Sequence, residues 1–247
     1  MNLGRDRKES TVWYAMLAVG LGVAIWSVKD WNWSVVWDSR VALTKGLVNS
    51  LQYSLAALLT AFPFATLLAL ARNYGPRGLS IMAMLIVDLL RTVPQVIILL
   101  WVFFVAPEIT GLSISAQWAG YLGLSLIAVG YMSEVIRAGI SSVSRHQWET
   151  GYAVGLSWAQ TCAWIILPQA LRNMLPALIA ISVMTFKTTT LLYVIGVVDF
   201  FRAATLANIR EIEPQVIFLL VAVVYFVLCY IISMAIRKLD PKYQLVE

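Results

Sequence analysis

Residues 216–236 read VIFLLVAVVYFVLCYIISMAI, an apolar run without a single charge. A helix rises 1.5 Å per residue, so about 20 residues cross the roughly 30 Å of bilayer hydrocarbon. Lipid offers no partner to backbone N–H and C=O groups, so only a helix or a closed barrel can span it, and this run lacks the alternation of a barrel strand. The stretch is a membrane-spanning helix. Working outward, further apolar runs of similar length cover residues 12–28, 46–70, 79–105, 118–137 and 174–198. The expected fold class is an all-α membrane protein of about six transmembrane helices.

Composition agrees. Sixty per cent of the 247 residues are hydrophobic and 13% are charged, against about 45–50% and 25% in soluble domains. Mean hydropathy is +0.80. The net charge of +5 is no nucleic-acid signal, because the basic residues sit at the ends of the apolar runs. Cys162 and Cys229 are isolated and read as small core hydrophobes. His146 is the sole histidine, so no histidine-rich metal site is expected. The first run follows Arg5, Arg7 and Lys8 as a signal peptide would. It is long, lacks a small-x-small cleavage site and precedes Trp26, Trp31, Trp33 and Trp37, so it reads as a retained span with an interfacial belt.

Six spans put both termini on one side with Arg72, Arg77, Arg137, Arg145, Arg172, Arg237, Lys238 and Lys242. The other side carries Lys29, Arg40, Lys45, Arg202 and Arg210. The richer side is expected to be cytoplasmic. Residues 141–171 break the pattern. They are too polar to span and too long for a turn, and they mix Arg145, His146, Gln147, Glu149 and Gln169 with Val143, Trp148, Val154, Trp158 and Ile165. A cytoplasmic helical excursion with exposed apolar residues suggests a docking surface.

Within that excursion, Glu149-Thr-Gly-Tyr-Ala-Val-Gly155, nine residues, and Ile165-Ile-Leu167-Pro168 resemble the EAA loop of ABC-importer permeases. Glu149, Gly155, Ile165, Leu167 and Pro168 keep the spacing; Thr150 and Gly151 stand where that family usually has alanines. Glu134-Val-Ile-Arg-Ala-Gly-Ile140, Asp88-Leu-Leu-Arg-Thr-Val-Pro94, Lys187-Thr-Thr-Thr-Leu191 and Tyr193-Val-Ile-Gly-Val-Val-Asp-Phe-Phe-Arg202 resemble permeases of polar amino-acid importers, the last most closely the glutamate/aspartate branch. The resemblance implies a type I ABC-importer permease fold, with a core at 46–247, a coupling loop at 141–171 and an added N-terminal part at 1–45. It implies a multi-pass chain of a bacterial inner membrane that forms the pathway with a second permease chain, identical or paralogous. Two ATPase subunits would dock through the five loop residues, and an extracytoplasmic solute-binding protein would deliver substrate. ATP and Mg would be bound by the ATPase alone, since no G-x-x-x-x-G-K-[ST] run exists here. No catalytic residue, metal ligand or nucleic-acid partner is expected.

Charges at membrane depth are functional by default. Counting from residues 79 and 174, Arg91 and Lys187 each sit roughly 18–20 Å above the cytoplasmic end. Two cations at one level would attract a substrate carboxylate; alternatively Arg91 pairs with Asp88, one turn away. Thr188, Thr189 and Thr190 either line a gate or back-bond to their own turn. Pro63, Pro94 and Pro176 are hinges or packing kinks. Glu149 either answers the helix dipole or contacts the ATPase. Trp101, Trp118, Trp148, Trp158 and Trp164 read as aromatic belts. The competing readings are a self-sufficient secondary transporter or channel and an intramembrane enzyme. No inverted repeat supports the first, and no G-x-S-x-G or H-E-x-x-H supports the second.

Overall fold

The computed structural model describes residues 29–237, so the span expected at 12–28 lies outside the described residues. After a single turn, α1 (Ser34–Asp38), comes α2 (Arg40–Tyr74), a helix of 35 residues that runs across the boundary drawn after residue 45. It buries Gly46, Ser50, Ser54, Ala57, Ala61, Ala65 and Ala69. Such small residues at three- and four-residue spacing let two backbones approach closely, which is how helices gain contact where lipid is as apolar as leucine. From Ala61 onward the approach is made to α5 (Ala116–Ser141), whose Ala128, Met132, Ile136 and Ile140 pack against the alanine stripe, whereas Gly46 lies against Asp199 and Ala203. Leu51, Leu55, Leu59, Phe62 and Leu67 stand exposed on other sides of α2.

The central helix is α5. Along it Gly120, Gly123, Gly130 and Gly139 each leave the room that Leu192, Leu99, Leu90 and Met174 fill. A Cβ at any of the four positions would come within 2.5–2.8 Å of those side chains, so each methyl would displace a different neighbour.

The run at 79–105 is not one straight span. The helices α3 (Arg77–Thr92) and α4 (Gln95–Thr110) meet at 106°. The break is at Val93, extended at ψ 133, because the ring of Pro94 pushes its predecessor out of the helical region and offers no N–H to continue the ladder. Pro63 and Pro176 lie inside unbroken helices, so Pro94 alone of the three ends a helix. Two other prolines have a milder effect. Widened, π-helical turns at Trp101–Val105 and Cys162–Ile166 stand just before Pro107 and Pro168. A wider turn keeps the carbonyl four residues back away from the proline ring.

After α6 (Arg145–Ala153), the helix α7 runs from Trp158 to Ile195, tightening to 3₁₀ geometry from Thr189. The span expected to start at residue 174 therefore starts sixteen residues earlier, and the second half of the excursion is its first four turns. The chain ends with α8 (Phe200–Glu211), capped by the buried Asp199, and α9 (Pro214–Arg237). Among the described residues, four helices are long and apolar enough to cross a membrane, or five with the bent pair counted as one span.

Candidate functional site

Where α2, α3 and α5 come together, three arginines converge on one carboxylate. Glu134 of α5 accepts from Arg72 Nη1 at 2.7 Å and from Arg137 Nε at 3.2 Å, while Arg91 Nη1 stands 3.7 Å away. The Arg91 guanidinium lies over the Tyr131 ring, 5.9 Å from its centre. Arg91 thus turns to Glu134 on a neighbouring helix rather than to Asp88 on its own. Arg72 and Arg137, which the sequence suggests are loop charges, belong to this cluster together with Glu134, which sequence reasoning gave no role. A signal was present: Glu134 and Arg137 are three residues apart, neighbours on a helical face.

Lys187 lies elsewhere. It faces α9 across a cavity of about 390 Å³ shared with Tyr225, Cys229, Tyr230 and Ser233. The chain bends by 106° just past Arg91, and α7 begins at Trp158. Thr188 is buried; its hydroxyl donates to the Met184 carbonyl at 2.9 Å and lies 3.2 Å from Gln95 Oε1, the first residue after the bend. Thr189 donates to Phe186 O and Thr190 to Lys187 O, both within the turn before them. The three hydroxyls therefore back-bond, and the helix narrows at that point.

Towards the other end of α2, a cavity of about 600 Å³ is lined by Asn49, Gln52, Tyr53, Gln117, Trp118 and Tyr121. Trp118 meets Tyr121 edge-on at 5.7 Å. Scattered amides on two helices carry no sequence pattern that would have revealed this cavity.

The excursion is fixed to the bundle by aromatic and amide contacts. Trp148 of α6 stacks on Trp158 at 6.2 Å, and Tyr74, at the end of α2, reaches both rings at 6.0 and 5.7 Å. These two tryptophans form one cluster with Tyr74, and Trp164 stays exposed. Gln169 donates to Gln147 Oε1 at 3.1 Å, and Asn173 donates to Ser142 Oγ at 2.9 Å. Glu149 lies in the middle of α6, not its first turn, so the dipole is a weak reason for it. Its carboxylate pairs with Arg145 at 3.6 Å and faces His146 Nδ1 at 3.1 Å, with both basic side chains 92% exposed. Gly155 takes φ +79, and a Cβ there would meet nothing within 4 Å, so the requirement is conformational. Ser157 and Gln160 then form a reciprocal cap that starts α7. Ile165 is half-buried against the core, whereas Leu167 and Pro168 are exposed. All five loop residues thus lie on α6, the turn and the adjoining start of α7.

Gly151, one of the two departures from the alanine pattern, has a local cause. A Cβ there would meet Thr161 Cγ2 at 2.4 Å and Oγ1 at 2.6 Å. Gly151→Ala should therefore lower the thermal midpoint of the protein, by about 1–3 kcal/mol of overpacking. Adding Thr161→Ala, which removes both atoms, should recover much of it. Equal melting of the single and double variants would show that the contact does not determine the residue.

Residues 61–245 match the family model described as binding-protein-dependent transport system inner membrane component. The glutamate/aspartate import permease protein GltK of Escherichia coli is 33% identical over 224 residues, covering 86% of this chain and 98% of that protein. The probable glutamine ABC transporter permease protein GlnP of Bacillus subtilis is 30% identical over 203 residues, covering 81% and 93%. The solved structure of an amino acid ABC transporter with histidines superposes with a TM-score of 0.79 at 24% identity, over 85% of this chain and 98% of that one. The fold expected from the resemblance is the fold observed.

Proposed function

Because the chain belongs to the family of binding-protein-dependent transport system inner membrane components, as a multi-pass amino-acid ABC permease and not an enzyme, we propose that its cargo is an acidic amino acid, glutamate or aspartate. The observation that carries the acidic reading is the excess of arginine over carboxylate around Glu134, and the likeness to GltK supports it. Glutamine is the second reading, favoured by the likeness to GlnP; every amino acid offers an α-carboxylate.

In this reading residues 46–247 form the permease core and both termini are cytoplasmic. A second permease chain, identical or paralogous, completes the pathway, and a solute-binding protein delivers cargo from outside. Two ATP-binding subunits hold ATP and magnesium and dock on α6, the turn after it and the start of α7, where Glu149, Gly155, Ile165, Leu167 and Pro168 receive their movement. The exposed Tyr152, Val154 and Leu167 offer them apolar contact. Arg91, Lys187, Thr188 and Thr189 belong to the pathway, with Thr188 tying α7 to the bend through Gln95. Hydrolysis in the partners shifts the permease between conformations that each bind cargo differently.

The test is ATP hydrolysis by the co-expressed complex in lipid nanodiscs, with candidate binding proteins and with glutamate or glutamine. Stimulation by glutamate supports the acidic reading; stimulation by glutamine alone replaces it. A well-folded chain that recruits no ATPase yet catalyses uptake in liposomes would overturn the importer assignment in favour of a secondary transporter.

A further inference from the structure

Charge counting around Glu134 leaves a surplus. Arg72, Arg91 and Arg137 bring three positive charges to one carboxylate. A guanidinium does not shed its proton inside a protein, so the surplus cannot be relieved by neutralisation. Glu134 lies seven residues before the end of α5 at Ser141, about 10 Å along the helix. Unbalanced charge inside a membrane bundle is costly and calls for a counter-ion. Asp88, one turn before Arg91, is exposed and makes none of these pairs.

The three arginines are not equivalent. Arg72 and Arg137 hydrogen-bond to Glu134, with side chains 15% and 32% exposed. Arg91 is beyond hydrogen-bond distance of it at 3.7 Å, and its side chain is 38% exposed. Tyr131 sits beneath the guanidinium and orients it. Among the described residues, its fork of donors makes no hydrogen bond, and a fork of that shape suits a second carboxylate. Arg91 also lies in the last turn before the 106° bend.

We propose that Arg91, backed by Arg72 and Arg137, is an oxyanion station for the side-chain carboxylate of an acidic amino acid, with Glu134 as the built-in competitor that keeps the grip weak. This rests on the importer reading and deepens it. A site with surplus positive charge favours a cargo of net charge −1 over its neutral amide. A nearby carboxylate contests the same guanidinium, and a transit site must bind weakly enough to release.

The test uses the nanodisc-embedded complex without any solute-binding protein, so that retention reports on the membrane chains. Labelled glutamate should bind about tenfold or more tighter than labelled glutamine, since truncating or omitting one partner of a desolvated charge pair costs at least that much. Arg91→Gln should bring the two affinities within about twofold, and Arg91→Lys, which keeps the charge, should preserve part of the preference. Equal affinities in the wild type overturn the proposal without any variant. So does a preference that survives Arg91→Gln. If glutamate is not retained and an anionic phospholipid copurifies with the wild type but not with Arg91→Gln, the oxyanion is a lipid phosphate and the cargo assignment is overturned. The importer reading stands or falls separately, on ATP hydrolysis.

Discussion

Glu149→Ala yields a protein that folds and inserts normally but imports poorly, with uptake down roughly 5–150-fold, the span produced by losing a coupling free energy of 1–3 kcal/mol. Little stability is at stake. The Glu149 side chain is 56% exposed, and its partners Arg145 and His146 are almost wholly so. Exposed pairs of this kind contribute about 0–1 kcal/mol. The thermal midpoint should therefore stay close to wild type while substrate-stimulated ATP hydrolysis and uptake separate: hydrolysis in the partners no longer moves the pathway. Uptake in membrane vesicles together with melting of the purified complex checks both halves. Wild-type uptake would remove Glu149 from the coupling role; joint loss of uptake and stability would make it a folding residue.

Glu134→Ala has the opposite character, a large loss of stability. Removing the carboxylate leaves Arg72 and Arg137 facing each other, and Arg91 beside them, with no counter-ion. Breaking one partner of a buried pair costs about 3–5 kcal/mol; a side chain one-quarter exposed lowers the expectation to about 2–4 kcal/mol. The thermal midpoint of the detergent-solubilised protein should drop accordingly. Combining Glu134→Leu with Arg72→Met should be milder than Glu134→Ala alone, because removing both members leaves no orphaned charge at that contact. A double variant as unstable as the single one would place the damage in packing rather than charge.

The two regions differed in how much of them could be read from residues alone. The loop residues Glu149, Gly155, Ile165, Leu167 and Pro168 could be picked out because they all fall within the single stretch 149–168. Gly155 could be read as a turn from its identity, and its φ of +79 is the conformation glycine adopts at least cost. Gly151 was only a departure from a pattern until Thr161, ten residues on, was found against it. The arginine cluster was hidden for the same reason: Arg72, Arg91 and Glu134 come from three separate helices. Neither the bend at Pro94 nor the start of α7 at Trp158 is marked by the edges of the apolar runs.

By itself, the sequence determined that this chain is a bundle of apolar helices with one polar excursion. Span length is set by bilayer thickness, and each helix closes its own hydrogen bonds, so both are local facts. Tertiary structure alone decided which faces meet. The small residues of α2 and the glycines of α5 allow close approach, and that approach sets each helix's rotation about its axis. Rotation then decides that Arg91 reaches Glu134, that Lys187 faces α9, and that Tyr74 closes on Trp148 and Trp158. Such pairings depend on the summed packing of several helices, which no single stretch of residues contains.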